Sequence, residues 1–103
     1  MKEMTTAELR ARVQAGEAPG SSYTLLDVRE PDEVAATAID GSLRIPLSQV
    51  VERMGELDPG VPTIVHCAGG TRSKRAIAAL QEAGFQGELV NLAGGVRAWN
   101  QEA

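Results

Sequence analysis

Val65-His66-Cys67-Ala68-Gly69-Gly70-Thr71-Arg72-Ser73 is the stretch on which the reading of this chain turns. It completes a β-branched apolar run, Thr63, Ile64 and Val65, which has the pattern of a short buried strand. It then passes through a glycine pair into helical spacing, with Ile77, Ala78, Leu80 and Gln81 following Arg75. A strand that turns sharply into a helix leaves several backbone N–H groups unpaired at the helix start. Those donors and the positive end of the helix dipole favour an anion. The residue delivered to that spot is Cys67, the only cysteine in the chain. A thiolate there gains hydrogen bonds and field stabilisation that the thiol does not, so its pKa is expected to fall.

A lone cysteine in a small domain is ordinarily a buried hydrophobe, and three features argue against that here. Gly69 and Gly70 are costly unless the backbone must take unusual angles or approach a ligand closely. Arg72, Lys74 and Arg75 place three of the ten basic residues within four positions of an otherwise acidic chain. Thr71 and Ser73 add hydroxyls able to donate to a thiolate or an incoming anion. The expectation is a cradled, nucleophilic sulfur.

The 103 residues suffice for one domain, expected to span 1–103, but not for two. With 43% hydrophobic residues and only Tyr23, Phe85 and Trp99 aromatic, the core must be aliphatic. No apolar run is long enough for a membrane span, and no signal peptide is visible at Met1-Lys2-Glu3. A single cysteine excludes an internal disulfide, so a reducing cytoplasm is the expected compartment. A net charge of −4 argues against broad nucleic-acid binding and makes the positive charge near Cys67 a local arrangement.

Outward from the loop, the chain alternates strands and helices. Thr5-Thr6-Ala7-Glu8 has the form of a capping box and predicts a helix over about 6–15. Gly16 to Ser22 reads as a loop, and Tyr23 to Val28 as a central strand covered on both faces. Pro31-Asp32-Glu33 looks like the first turn of a short helix. Ile39 to Ser42 reads as a turn, and Leu43-Arg44-Ile45 as a brief strand ended by Pro46. A helix is predicted from Ser48 to about Met54, with Val50 and Val51 turned inward. Asp58-Pro59-Gly60 is a strong turn signal. The helix after the Cys67 loop should end near Ala83, before Gly84. Gly87 to Leu92 supplies the last strand, and Gly94-Gly95 introduces a terminal helix with Val96 and Trp99 on one face. This alternation predicts an α/β fold, a small parallel sheet with helices on both faces. Ligands bind such sheets outside the carboxyl ends of the strands, where Cys67 sits and where Asp27 and Arg29 could border the same crevice.

These motifs resemble the rhodanese (sulfurtransferase) family from about Thr5 to Trp99. The resemblance rests on Leu25 to Glu33, on Ile39 to Leu47, and on Cys67 to Ser73 in the form Cys-x-x-Gly-x-Arg-Ser. Ala83-Gly84-Phe85 and Asn91-Leu92-x-Gly94-Gly95-x-x-Ala98-Trp99 complete it. One departure is Thr37-Ala38, where the family commonly has Gly-His; it touches local turn geometry and not the loop. The resemblance implies a rhodanese-like fold and transfer of sulfane sulfur through a persulfide on Cys67. The amides of Ala68, Gly69, Gly70, Thr71 and Arg72 would form the anion cradle, with the Arg72 side chain meeting the substrate's charge or turning outward to a nearby acid. It also implies a small anionic donor such as thiosulfate, a thiol or cyanide acceptor, and no cofactor. Similar domains are attached to ubiquitin-activating-like enzymes that thiolate sulfur-carrier proteins, so a sulfur-carrier or desulfurase protein is a further partner class.

Neighbours in a strand point to opposite faces, so His66, the only histidine, is not expected to act on Cys67. One cysteine and one histidine cannot fill a tetrahedral metal shell. For Asp27 and Arg29 a mutual structural pairing is the expected role. A dual-specificity-type phosphatase is the nearest rival, but such loops resemble Cys-x5-Arg, and here only four residues separate Cys67 from Arg72. An inactive binding module is the other, and it would tend to lose the cysteine that this chain keeps.

Overall fold

Each apolar run becomes a strand of a single sheet. A computed structural model describes residues 1–102. Its strands are β1 (Glu3–Thr5), β2 (Thr24–Asp27), β3 (Leu43–Arg44), β4 (Thr63–His66) and β5 (Leu89–Ala93). They run parallel in the order β1-β5-β4-β2-β3. The helices are α1 (Thr6–Gln14), α2 (Pro31–Ala36), α3 (Thr71–Glu82) and α4 (Gly95–Gln101). β4 occupies the middle, with Asp27 of β2 opposite His66 and Asn91 of β5 opposite Val65. All four of its residues are buried, as a strand covered on both faces requires.

Alternation along the strands divides the core in two. Leu26, Val65 and Leu89 face α3, where they pack with Cys67, Ala76, Ile77 and Leu80. Leu25, Ile64 and Val90 face the other way and pack with Leu9 of α1, Tyr23, and Val96 and Trp99 of α4. Period-2 alternation thus assigns Cys67 to the α3 side. No helix among the described residues is long and apolar enough to cross a membrane.

Local signals account for most boundaries. The Thr5 hydroxyl accepts from the Glu8 amide at 3.1 Å while Glu8 accepts from the Thr5 amide at 3.2 Å, closing the capping box of α1. Pro31 opens α2, and Ala83 and Gly84 terminate α3. Two expectations are corrected. The stretch expected as a helix from Ser48 to Met54 is a pair of 3-10 turns, Leu47–Gln49 and Met54–Glu56, closed by Gln49 N–H to Pro46 O (2.8 Å) and Leu57 N–H to Met54 O (3.0 Å). Adjacent residues cannot share one face of a helical turn. Val50 is accordingly buried, while Val51 points outward at 42% exposure. Strand β1 was not anticipated: Glu3-Met4-Thr5 has no strand pattern of its own and exists by pairing with Asn91-Leu92-Ala93.

The start of α4 lies directly on the loop after β4. Gly95 has φ +56°, and a Cβ there would stand 2.7 Å from the Ala68 carbonyl oxygen and closer still to that of Cys67. Gly95→Ala should therefore lose more than ~2 kcal/mol of unfolding free energy, from left-handed strain plus overpacking. At Gly55 an added methyl meets nothing within 4 Å. Gly55→Ala should stay within about 0.5 kcal/mol of the parent. Urea denaturation of the two variants checks both expectations.

Candidate active site

Cys67 leaves the carboxyl end of β4 and is only 1% exposed. The chain then reverses through Ala68-Gly69-Gly70, and Gly70 takes φ +113° as the cap of α3. That left-handed angle, open to glycine at no steric cost, swings the Gly70 amide back onto the sulfur, N–H to Sγ at 3.1 Å. The loop is held from behind by α4, where the amides of Val96 and Arg97 donate to the carbonyls of Cys67 and Ala68, each at 3.0 Å. Gly69 is the exposed residue of the turn, between half-buried Ala68 and buried Gly70.

Burial pushes the Cys67 thiol up, but the Ser73 amide and hydroxyl and the amides of Gly70 and Gly69 oppose it. The net result is a thiol below its ordinary value. The Ser73 hydroxyl has one proton and several neighbours. It lies 2.6 Å from Asn91 Oδ1, 2.9 Å from the Gly70 carbonyl and 3.6 Å from Sγ. With its proton on Asn91, it accepts from the Cys67 S–H. The Asn91 amide group in turn donates to Glu3 Oε2 at 2.9 Å, so a polar line runs from the buried sulfur to exposed Glu3 of β1.

The remaining expected residues separate into different settings. Ala68 gives its carbonyl to α4, and Thr71 opens α3 with its side chain exposed. Arg72 turns outward and grips Glu33 of α2 with both terminal nitrogens, at 2.6 and 2.8 Å. That fork, with the Glu30 amide, holds the Glu33 carboxyl at about 2. The folded value is depressed, so the bridge contributes fully above the ordinary value of 4.5 and is lost as pH falls through about 2. Lys74 and Arg75 are exposed on α3.

Asp27 and Arg29 are buried and absorbed by each other. Arg29 Nη2 meets Asp27 Oδ2 at 2.8 Å and the Thr37 carbonyl at 2.7 Å, and its amide donates to Asp27 Oδ1 at 3.0 Å. Burial alone would raise the Asp27 carboxyl, but His66 and Arg29 hold it well below the usual range. The extended Thr37, at the point of departure from the family pattern, thus secures Arg29. The pair is held by these mutual contacts and by Thr37, as the expected structural pairing requires. Arg29 also lines a cleft of about 270 Å³ with Val34, Arg44, Pro46, Gln49 and Arg53. His66 faces away from Cys67, its Nε2 3.3 Å from Asp27 Oδ2.

Glu33, Asn91, Gly95 and Arg97 touch the loop or its side chains, and sequence reading did not place them beside Cys67. Gly94-Gly95 after a strand was a usable signal of close backbone approach. The other three depend on which elements the sheet brings together.

Residues 5–102 match the model of the rhodanese-like domain. The chain is 35% identical over 102 residues to YtwF of Bacillus subtilis, provisionally named a sulfurtransferase, covering 99% of this chain and 93% of that one. It is 36% identical over 75 residues to a protein of Allochromatium vinosum named sulfurtransferase, covering 73% and 69% of the two. A rhodanese-related protein from Thermoplasma volcanium superposes with a TM-score of 0.84 at 30% identity, covering 100% of this chain and 94% of that one. With the family model matched over residues 5–102 and a fold shared with rhodanese-related structures, the chain belongs to the rhodanese-like domain family.

Proposed function

We propose that this domain is a sulfurtransferase that carries sulfane sulfur as a persulfide on Cys67. The observation that supports it most is the cradle itself: one buried thiol, below its ordinary pKa, with the Gly70 amide 3.1 Å from Sγ. With thiosulfate as donor, the Cys67 thiolate attacks the sulfane sulfur. The S–S bond of thiosulfate breaks, and its electron pair leaves with sulfite. Cyanide or a thiolate then attacks the outer sulfur of the persulfide, taking it as thiocyanate or a new persulfide and returning the Cys67 thiolate. No second cysteine exists to capture the persulfide as an internal disulfide. The chemistry needs a compartment that keeps a lone thiol reduced, as the cytoplasm does.

In the thiolate state the Ser73 hydroxyl can turn its proton from Asn91 to Sγ, joining the amides of Gly69, Gly70 and Ser73 around the charge. The amides of Ala68, Thr71 and Arg72 line the same turn and complete the proposed cradle when the sulfur carries a second atom. A protein acceptor is a second reading. It is favoured by similarity to MoeZ of Mycobacterium tuberculosis, whose name couples adenylyltransferase to sulfurtransferase, 35% identical over 101 residues. This chain spans 24% of that protein. A phosphatase role is opposed by Arg72, whose fork is turned onto Glu33 and away from the cradle.

Incubation with thiosulfate should add one sulfur atom to the protein but not to Cys67→Ser, by intact mass, and cyanide should remove it as thiocyanate. Failure to load from thiosulfate, mercaptopyruvate and a cysteine desulfurase, together with Cys67-dependent hydrolysis of an aryl phosphate, would replace this reading with the phosphatase. The rate of alkylation by iodoacetamide should rise with pH through a midpoint below the ordinary thiol value of about 8.5. Ser73→Ala should move that midpoint up, since a donor to the thiolate is gone. It should also cost about 1–3 kcal/mol in a denaturant titration, because Asn91 Oδ1 is left buried without its hydroxyl.

A further inference from the structure

The arginine that the family motif supplies to the loop is already neutralised. Both terminal nitrogens of Arg72 are spent on both oxygens of Glu33, at 2.6 and 2.8 Å. A different cation stands against the turn. Arg97, in the first turn of α4, is rooted to the loop by its own amide, which donates to the Ala68 carbonyl at 3.0 Å. Its side chain lies over Gly69: a Cβ built on Gly69 would stand 3.0 Å from Arg97 Nη1 and 3.8 Å from Cζ. The missing side chain at position 69 therefore makes the space in which the guanidinium rests. Gly69 is the exposed residue of the turn, and its amide is among those that stabilise the sulfur charge. Among the described residues, no carboxylate lies within ion-pair distance of Arg97. The guanidinium, itself exposed, keeps its full charge and its fork of donors.

We propose that Arg97 is the seat for the anionic group of the sulfur donor. It binds the sulfonate end of thiosulfate, or a like oxyanion, at the outer side of Gly69 while the sulfane sulfur faces Cys67. Naming thiosulfate rests on the sulfur-transfer reading above; the anion seat rests on the geometry alone. The division of labour is physical. Backbone amides hold the sulfur that reacts, and a side-chain cation holds the part of the donor that leaves as sulfite.

Two alkylating agents separate this proposal from the activity it rests on. Iodoacetamide is neutral and reports the reactivity of the Cys67 thiolate; iodoacetate presents a carboxylate to the same sulfur. Arg97→Gln should lower the ratio of iodoacetate to iodoacetamide rates by about tenfold, the loss of one charge-assisted contact. Arg97→Lys should recover part of it. Gly69→Ala, which pushes the guanidinium aside with its charge intact, should lower the ratio in the same direction. With thiosulfate, Arg97→Gln should raise KM by a similar factor with kcat nearly unchanged. A ratio unaltered by Arg97→Gln, or equal slowing by both reagents, overturns the proposal. An Arg97-dependent ratio in a protein that thiosulfate never loads would uphold the anion seat and sink the thiosulfate assignment instead.

Discussion

Two bonds, Val96 N–H to Cys67 O and Arg97 N–H to Ala68 O, tie the last helix to the turn that presents the sulfur. They form because Gly95 has no Cβ to hold the two backbones apart. With the carbonyls of residues 67 and 68 turned toward α4, the amides that follow are free to face the other way. The Gly70 N–H takes that opportunity and closes on Sγ at 3.1 Å. The geometry of the turn thus depends on a helix nearly thirty residues further along the chain.

The polar groups of the domain are sorted by distance from that sulfur. Two pairs of charged side chains near the sheet's carboxyl end are absorbed by each other, Asp27 with Arg29 and Glu33 with Arg72, while Arg97 stands without a carboxylate among the described residues. The direct partners of Sγ are backbone amides and a single hydroxyl. Such contacts would stabilise a negative charge through hydrogen bonds, with no side-chain cation bonded to the sulfur itself. In the proposed sulfur transfer, a thiolate held by amides stays available to attack, whereas a tight ion pair with a side-chain cation would hold its electrons back. The Ser73 hydroxyl adds an adjustable element, because Asn91 and Sγ compete for its one proton.

Much of this was legible from local pattern. The strand-glycine-helix succession around Cys67, the capping box at Thr5 and Glu8, and the stop at Gly84 are decided by interactions between near neighbours. The sorting of Cys67 and His66 to opposite faces follows from strand alternation. Where local preference was weak, the reading failed. The Val50-Val51 pair could not decide between helix and tighter turns, and Glu3-Met4-Thr5 became a strand only because β5 offered it a free edge.

The amino-acid sequence by itself determined an α/β domain with a parallel sheet, and the loop that would present its only thiol, because hydrophobic period and glycine placement act over a few residues. It could not determine what that loop would touch. Glu33 withdrawing Arg72, Asn91 claiming the Ser73 proton and Arg97 standing over Gly69 join elements separated by many residues. Such meetings are set by strand order and by how closely helices approach the sheet, which only the packed tertiary structure decides.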